Sequence, residues 1–425
     1  MNEFQAKINL FTEKLQNQTQ VPLWAIADEF LIRAIPLKRP PKWGPRKKVL
    51  HQVMKIMSMF KLEAFALFFV GLREILLVCR RISIYKLKKN IEVAEVNYQR
   101  VFAGFGASSA DCLYQDYKKE SQAPCLRINW DTQEGIAVLG KIKKKTAILK
   151  LLSNIYGFRK KFKQAIPEIS NNYDLFLTIF ASNIGTYTIY QLIWKLAEQK
   201  GIKEIAFLAP SRAAFAATER QALSTRFLQH GLLGQGILFP KFTSIQAITV
   251  YEANYLSQIF SDTIVHRSKI ENNLRSPKTR TVLLLSPNLL LNAKEFTRWA
   301  RQFNLNIVIR PTIRVTDEEL LEIETQFENS TLDNYLLSLE QSLKTWKPMF
   351  IVAWNSTGLA TGLEFGCLPI SLCAEKEGSA VWAMIYPMRE AVLFWPQQRI
   401  LLEKTINSTN VYLDEVERLQ SVALV

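Results

Sequence analysis

Four loops of this 425-residue chain gather residue types suited to an activated, negatively charged substrate. The first runs Trp354-Asn355-Ser356-Thr357-Gly358-Leu359-Ala360-Thr361-Gly362-Leu363-Glu364, directly after the apolar run Met349–Ala353. Asn, Ser and Thr are the types that open helices. Free backbone N–H groups, hydroxyls and the positive end of a helix dipole would therefore converge at Asn355, Ser356, Thr357 and Gly358, where a phosphate fits. Gly358, Ala360 and Gly362 are small enough for a ligand or a neighbouring backbone to come close. Glu364, about two turns further on, is placed to accept ribose hydroxyls. A cap on a purely structural helix would use the same residues.

The second loop, Phe227–Gly234, carries Gln229 and His230 at the end of an apolar run. His230 suits a base for an acceptor hydroxyl or, protonated, a contact for a leaving diphosphate; a structural hydrogen bond is the plainer role. In the third, Ile309–Arg314, Arg310 and Arg314 flank Pro311 and match phosphate in fork geometry, or serve as ordinary surface charge. The fourth, Ser182–Thr186, offers Asn183 and Thr186 to an acceptor, with Gln229 beside them on the acceptor side. Glu252, after the run Gln246–Tyr251, is a reserve carboxylate to His230.

Several chemistries have no residues to carry them. With three histidines, five cysteines without a Cys-x-x-Cys pair and no Asp-x-Asp, the sequence offers no recognisable metal site or disulfide framework, and no cofactor is expected. The phosphate loop of NTPases, the G-x-S-x-G elbow, G-x-G-x-x-G and H-E-x-x-H are all absent. Phe102–Ser109 has glycines in only a weak nucleotide pattern.

These loops need elements to hold them. Short apolar runs alternate with helical patterns from about residue 97: strands at Asp174–Ser182, Glu204–Ala209, Thr225–His230 and Gln246–Tyr251, then, past a polar linker His266–Lys278, at Thr281–Ser286, Asn306–Arg310, Met349–Ala353 and Leu368–Leu372. The helices between are Tyr187–Lys200, one around Ala213–Leu223, Ala293–Phe303, Thr331–Trp346 and Leu359–Phe365. This alternation predicts an α/β protein of two Rossmann-like domains with parallel sheets. The expected division is a basic helical extension over 1–96, a first Rossmann-like domain over 97–270, a second over 271–388, and a helical tail over 389–425 that returns toward the first domain.

Charge is concentrated at the amino-terminal end. Lys and Arg exceed Asp and Glu by 54 to 38 overall, and residues 1–164 hold 30 against 13. Such a field attracts phosphate-rich partners. Trp43 sits within the burst Lys38–Lys48, and the greasy segment Phe60–Cys79 follows it, fitting either burial or a membrane interface. No nucleic-acid-binding signature accompanies the charge, so an anionic membrane surface is favoured over nucleic acid. The first twenty residues lack an apolar signal core, and a cytoplasmic location, peripheral at the inner membrane face, is expected.

In order, these segments resemble bacterial surface-polysaccharide glycosyltransferases of the GT-B fold, a group that includes sialyltransferase-like, Kdo-transferase-like and CDP-alditol transferase-like enzymes. Gln229-His230-Gly231 looks like their strand-end histidine loop, and Asn355 to Ile370 like their nucleotide loop, helix and following strand. Arg310-Pro311-Thr312 departs from the His-Pro often found there. The resemblance covers roughly residues 97–389. It implies a nucleotide-sugar donor of CMP or UDP type in the second domain, a glycan or lipid-linked acceptor across a cleft in the first, and no required metal. Transfer of an alditol phosphate from a CDP donor, or a non-catalytic basic protein binding membrane or nucleic acid, are the alternatives.

Overall fold

Two six-stranded sheets organise the chain. The computed structural model describes residues 3–18, 20–59, 65, 68–77, 98–104, 108–128, 142–162, 164–229, 233, 236–247, 250–260, 264–267, 278–286, 292–311, 315–354, 356–372 and 391–421. The chain divides into one unit of Met1–His230, Gln235–Gln246 and Ile259–Ile264, and another of Gly231–Gly234, Ala247–Gln258 and Val265–Val425.

The first sheet is built from β1 (Arg100–Ala103), β2 (Cys125–Ile128), β3 (Glu204–Phe207), β4 (Ser224–Leu228), β5 (Ser244–Ala247) and β6 (Ile264–Arg267), in the order β2-β1-β3-β4-β5-β6. The pairs from β2 through β5 are parallel, with Val101 opposite Ile205 and Phe207 opposite Phe227. Around it lie α1 (Glu3–Gln18), α2 (Leu23–Ile26), α3 (Glu29–Ala34), α4 (Pro45–Met59), α5 (68–77), α6 (Ser108–Lys119), α7 (Lys144–Phe162), α8 (Pro167–Ser170), α9 (Tyr173–Gln199) and α10 (Arg212–Thr218).

Helix α9 corrects the expected strand over Asp174–Ser182 and the expected loop at Asn183–Thr186. Phe176, Leu177, Ile179, Phe180 and Ala181 are buried on every side, so the segment is apolar all round. An apolar run of this kind has no period to separate helix from strand, and length decides. Thr178 and Thr188 return their hydroxyls to the carbonyls of Asp174 and Ile184, which lets polar residues sit inside the helix. Helices α2, α4 and α7 pack on α9: Trp24 stacks on Tyr187 at 3.9 Å and Phe158 on Phe180 at 3.6 Å. The amino-terminal helices thus supply core to this unit, with Leu15, Trp24, Ile26, Leu31 and Ile32 buried.

The second sheet has β7 (Thr279–Leu285), β8 (Asn306–Arg310), β9 (Thr331–Leu332), β10 (Pro348–Ala353), β11 (Leu368–Ser371) and β12 (Leu393–Phe394), all parallel, in the order β12-β11-β10-β7-β8-β9. Helices α11 (Val250–Ile259), α12 (Ala293–Gln302), α13 (Asp317–Gln326), α14 (Leu339–Trp346), α15 (Thr357–Glu364), α16 (Arg399–Asn407) and α17 (Thr409–Ser421) belong to this unit. Val282, Leu283, Leu284, Phe350, Ile351 and Val352 are fully buried, as strands covered on both faces must be.

Local chemistry redraws several boundaries. The run Gln246–Tyr251 ends as strand at Ala247, and α11 begins at Val250. Within the expected linker, β6 reaches Arg267. The expected helix Thr331–Trp346 is instead β9, a loop and α14, because Ser338 and Gln341 form a capping box that fixes the helix start. A second box, Thr316 with Glu319, opens α13, which the hydrophobic pattern did not disclose. The tail begins with β12 rather than helix. It packs on its own unit, where Tyr412 donates to the carbonyls of Gly366 and Met349 at 2.6 and 3.1 Å.

Candidate functional site

Strand order locates the natural binding position in the second unit. Read from β7, the sheet grows through β8 and β9 on one side and through β10, β11 and β12 on the other. The direction reverses between β7 and β10, and ligands of open α/β sheets lie beyond the carboxyl ends of strands at such a reversal. Helix α15 leaves β10 there. Ser356 caps it in extended conformation, its Oγ accepting from the Gly358 N–H at 3.1 Å.

The glycines of α15 have a packing reason. A Cβ on Gly358 would stand 2.4 Å from Leu285 Cδ1, and one on Gly362 would stand 2.4 Å from Ile351 Cγ2. Their small size lets the helix lie close on β7 and β10. The far end of α15 is fully engaged: Gln420 Nε2 donates to the Leu363 carbonyl at 2.8 Å, Lys278 to that of Phe365, and Tyr412 to that of Gly366. A cation at the carboxyl end complements the dipole and leaves the positive pole at Ser356.

At that pole, the Ser356 hydroxyl is the cap and Thr357 is half-buried. Among the described residues the Thr357 side chain has no partner. Ser286, which ends β7 and was not foreseen as a site residue, lies in the left-handed region at φ 49° and donates its backbone N–H to the Arg310 carbonyl at 2.9 Å. A non-glycine residue held there stores strain, which concentrates at binding sites. No sequence pattern signalled it, since the run Leu283-Leu284-Leu285-Ser286 reads only as the end of a strand.

The remaining candidates separate. Asn355 and His230 lie outside the described residues, as do Arg314 and Thr312. Glu364 is buried at the last turn of α15, about 12 Å along the helix axis from Ser356. Arg310 is a correction. Its guanidinium is directed into its own unit, donating to Asp333 Oδ2 and Ser342 Oγ, both at 2.6 Å, and to the carbonyls of Asn334, Tyr335 and Leu337. With both terminal nitrogens engaged, it braces the loop after β9. Asp333 also accepts from Ser342 Oγ at 2.6 Å and Trp346 Nε1 at 2.7 Å. Burial alone would raise its carboxyl; the bonds from Ser342, Arg310 and Trp346 outweigh that and hold it below the ordinary range.

Glu252 is fully buried in the first turn of α11, not at a strand end. In the first unit, Asn183 is buried inside α9 and donates to the Trp24 carbonyl at 3.3 Å, which makes it a tie between α9 and α2. Thr186 lies mid-helix on α9, while Gln229 is buried at the end of β4, where its N–H donates to the Gln246 carbonyl at 3.0 Å. The acceptor-side residues therefore do not share a loop, and the reversal of the first sheet falls elsewhere, between β1 and β3. The residues at that exit are Gly104 and Ser211, the cap of α10. No group of three or more His, Cys, Asp or Glu gathers to hold a metal among the described residues.

A second surface lies in the first unit. Helix α4 exposes Val49, Val53, Ile56 and Met59, a single stripe at i, i+4, i+7 and i+10, flanked by exposed Arg46, Lys48 and Lys55. Its inward side carries Met54, Lys47 paired with Asp28, and His51 2.9 Å from Asp174. Trp43, expected as a surface anchor, is buried with Nε1 donating to Asp28 at 3.1 Å. Within the segment Phe60–Cys79, Phe65, Phe68, Phe69, Leu72 and Leu76 are exposed and Glu74 is buried, so the apolar side faces outward; Glu63 and Arg81 lie outside the described residues. Among the described residues no helix is long and apolar enough to cross a membrane.

No protein-family model and no curated protein sequence matches the chain. Solved structures similar to it include the glycosyltransferase VinC in complex with dTDP, at 13% identity and TM-score 0.42, covering 76% of this chain and 94% of that one. Another is the wall teichoic acid polymerase TagF, at 11% identity and TM-score 0.41, covering 84% and 92%. At these values the chemistry has to be argued from the residues themselves.

Proposed function

We propose that the chain is a glycosyltransferase moving a sugar from a CMP- or UDP-type nucleotide donor to a surface-polysaccharide or lipid-linked glycan acceptor at an anionic membrane surface. The carrying observation is the Ser356-capped amino end of α15 at the reversal point between β7 and β10. The nucleotide phosphate would sit on the Thr357 backbone N–H and hydroxyl, with Ser286 across the gap and Asn355 as a further donor contact. The leaving nucleotide gains negative charge as the glycosidic bond to it breaks. Fixed N–H dipoles aimed at that charge stabilise it in the transition state without reorganising. In this reading His230 takes the acceptor proton, and helix dipole and hydroxyls do the charge stabilisation that a metal supplies in other transferases. The exposed apolar stripes of α4 and α5, edged by Arg46, Lys48, Lys55 and Arg73, support the membrane part.

The test is thermal shift and donor hydrolysis against a panel of CMP-, UDP-, CDP- and GDP-sugars. One family of donors is expected to raise the melting temperature of the wild type. Thr357→Ala should weaken that donor about tenfold, the loss of one hydrogen bond to a charged group, with the free protein as stable as before. Ser356→Ala should lose both binding and about 1 kcal/mol of stability, because it is also the cap. Equal shifts for wild type and Thr357→Ala, or none with any donor, would sink the proposal.

A further inference from the structure

In the first unit, α7 and α9 and the residues after α10 line an open cavity of about 540 Å³. Thr146, Lys150, Gln191, Lys195, Glu219 and Arg220 form its polar lining. One wall is pre-set by a bonded network: Asn154 Nδ2 donates to Thr188 Oγ1 and Gln191 Oε1 at 2.9 and 2.8 Å, and Gln191 Nε2 donates to Glu219 Oε2 at 2.6 Å. Arg220 is committed to Glu198. Lys150 and Lys195 have no carboxylate partner among the described residues. With Arg220 paired, two uncommitted cations are left to one lining carboxylate, itself held by Gln191.

The rim has the opposite character. Leu149 lines the cavity and also begins a stripe of exposed Leu149, Leu152 and Tyr156 at i, i+3 and i+7 of α7. Helix α5 lies against α7, where a Cβ on Gly71 would meet Ile155 Cδ1 at 3.2 Å, and it adds exposed Phe68, Phe69, Leu72 and Leu76. A concave cationic pocket opening onto a bare apolar ridge is chemically complementary to one molecule type, a phosphate headgroup on an apolar chain.

We propose that this cavity binds the phosphate headgroup of an anionic bilayer lipid, held by Lys150 and Lys195, with the chain lying along Leu149, Leu152 and Tyr156. The inference deepens the membrane part of the proposed function and is independent of the donor site. The test is cosedimentation of the full chain with phosphatidylcholine vesicles, with and without phosphatidic acid. Wild type is expected to prefer phosphatidic acid, and Lys150→Gln with Lys195→Gln to cut that preference at least tenfold, with unchanged melting temperature and unchanged nucleotide shift. The charge-matched control Lys118→Gln with Lys119→Gln should keep it. Leu149→Ser with Tyr156→Ser should weaken binding to both vesicle types. Equal losses from the two lysine pairs would mean diffuse attraction and overturn the site. Full competition by inorganic phosphate would also overturn it, showing that the cavity takes free anions. No vesicle binding by wild type would overturn both this site and the membrane reading, leaving the donor proposal standing.

Discussion

Helices α12 and α4 are both amphipathic, but α12 turns its apolar side into its own unit and α4 leaves an apolar side exposed. In α12, Ala293, Phe296, Thr297, Trp299 and Ala300 face the sheet while Lys294, Glu295, Arg298 and Arg301 face water. In α4 the inward side carries Met54 with Lys47 and His51, each bound to a carboxylate, and the outward side is Val49, Val53, Ile56 and Met59. The second unit is thus assembled by the ordinary rule of apolar inside. The first unit has a buried core around α9 and, on its amino-terminal helices, a further apolar surface that the described core does not use. Soluble proteins rarely leave such rows bare without a partner for them. The two units thus differ in where they leave apolar surface: the second buries it against its sheet, and the first keeps an exposed row on α4.

The largest expected effect probes how the second unit is braced. Arg310 and Asp333 have side chains only 12% and 4% exposed, and Asp333→Ala would strand the guanidinium. The unfolding free energy of that unit should fall by about 3 kcal/mol, the cost of leaving a buried charge unpaired. Acid gives the same answer more gently. A carboxyl held below its ordinary range stabilises the fold above the unfolded pKa of about 3.9, and that contribution is lost as pH falls through the lower folded value. A melting series from pH 5 downward should therefore be flatter for Asp333→Asn than for wild type. Equal slopes would show that the brace is not electrostatic.

Those effects also explain what could be read from the sequence. The second unit was legible because its strands are continuous apolar runs with N-cap residues directly behind them: Met349–Ala353 and Leu368–Leu372 appear within a residue or two of their expected places. The first unit was less so. Asp174–Ser182 is helix because its partners cover it on all sides, and no local pattern records how many sides are covered. Arg310 illustrates the limit for sites. Its type and strand-end position suited a phosphate, yet Asp333 and Ser342, 23 and 32 residues away, claim its donors. Ser286 shows the reverse, a site candidate defined by a backbone angle that its side chain does not reveal.

A smaller effect tests whether α15 is placed by packing. Gly362→Ala adds a methyl 2.4 Å from Ile351 Cγ2, and the strand cannot yield without disturbing β7. Overpacking should cost about 2 kcal/mol, partly offset by the better helix propensity of Ala. Because α15 would be pushed off the sheet, donor affinity should fall along with thermal stability, while vesicle binding, proposed for the other unit, should not change. Vesicle binding that fell with it would mean that the two regions do not act independently.

The smallest stability effect is expected on the exposed apolar stripe of α4. Replacing Val49, Val53 and Ile56 of α4 together by Ser removes three large apolar side chains, and in a core this would cost several kcal/mol. On the exposed face it should change the melting free energy by less than about 0.5 kcal/mol, as surface substitutions do. Binding to anionic vesicles should nevertheless drop sharply, because apolar burial and the flanking Arg46, Lys48 and Lys55 act together at an interface. The pairing of the two readouts carries the argument. Lost stability with unchanged vesicle binding would place the stripe in a protein core and make α4 an ordinary relative of α12. Unchanged stability with lost binding would mean that the helix is oriented by its ion pairs so that its apolar face is left free for a bilayer.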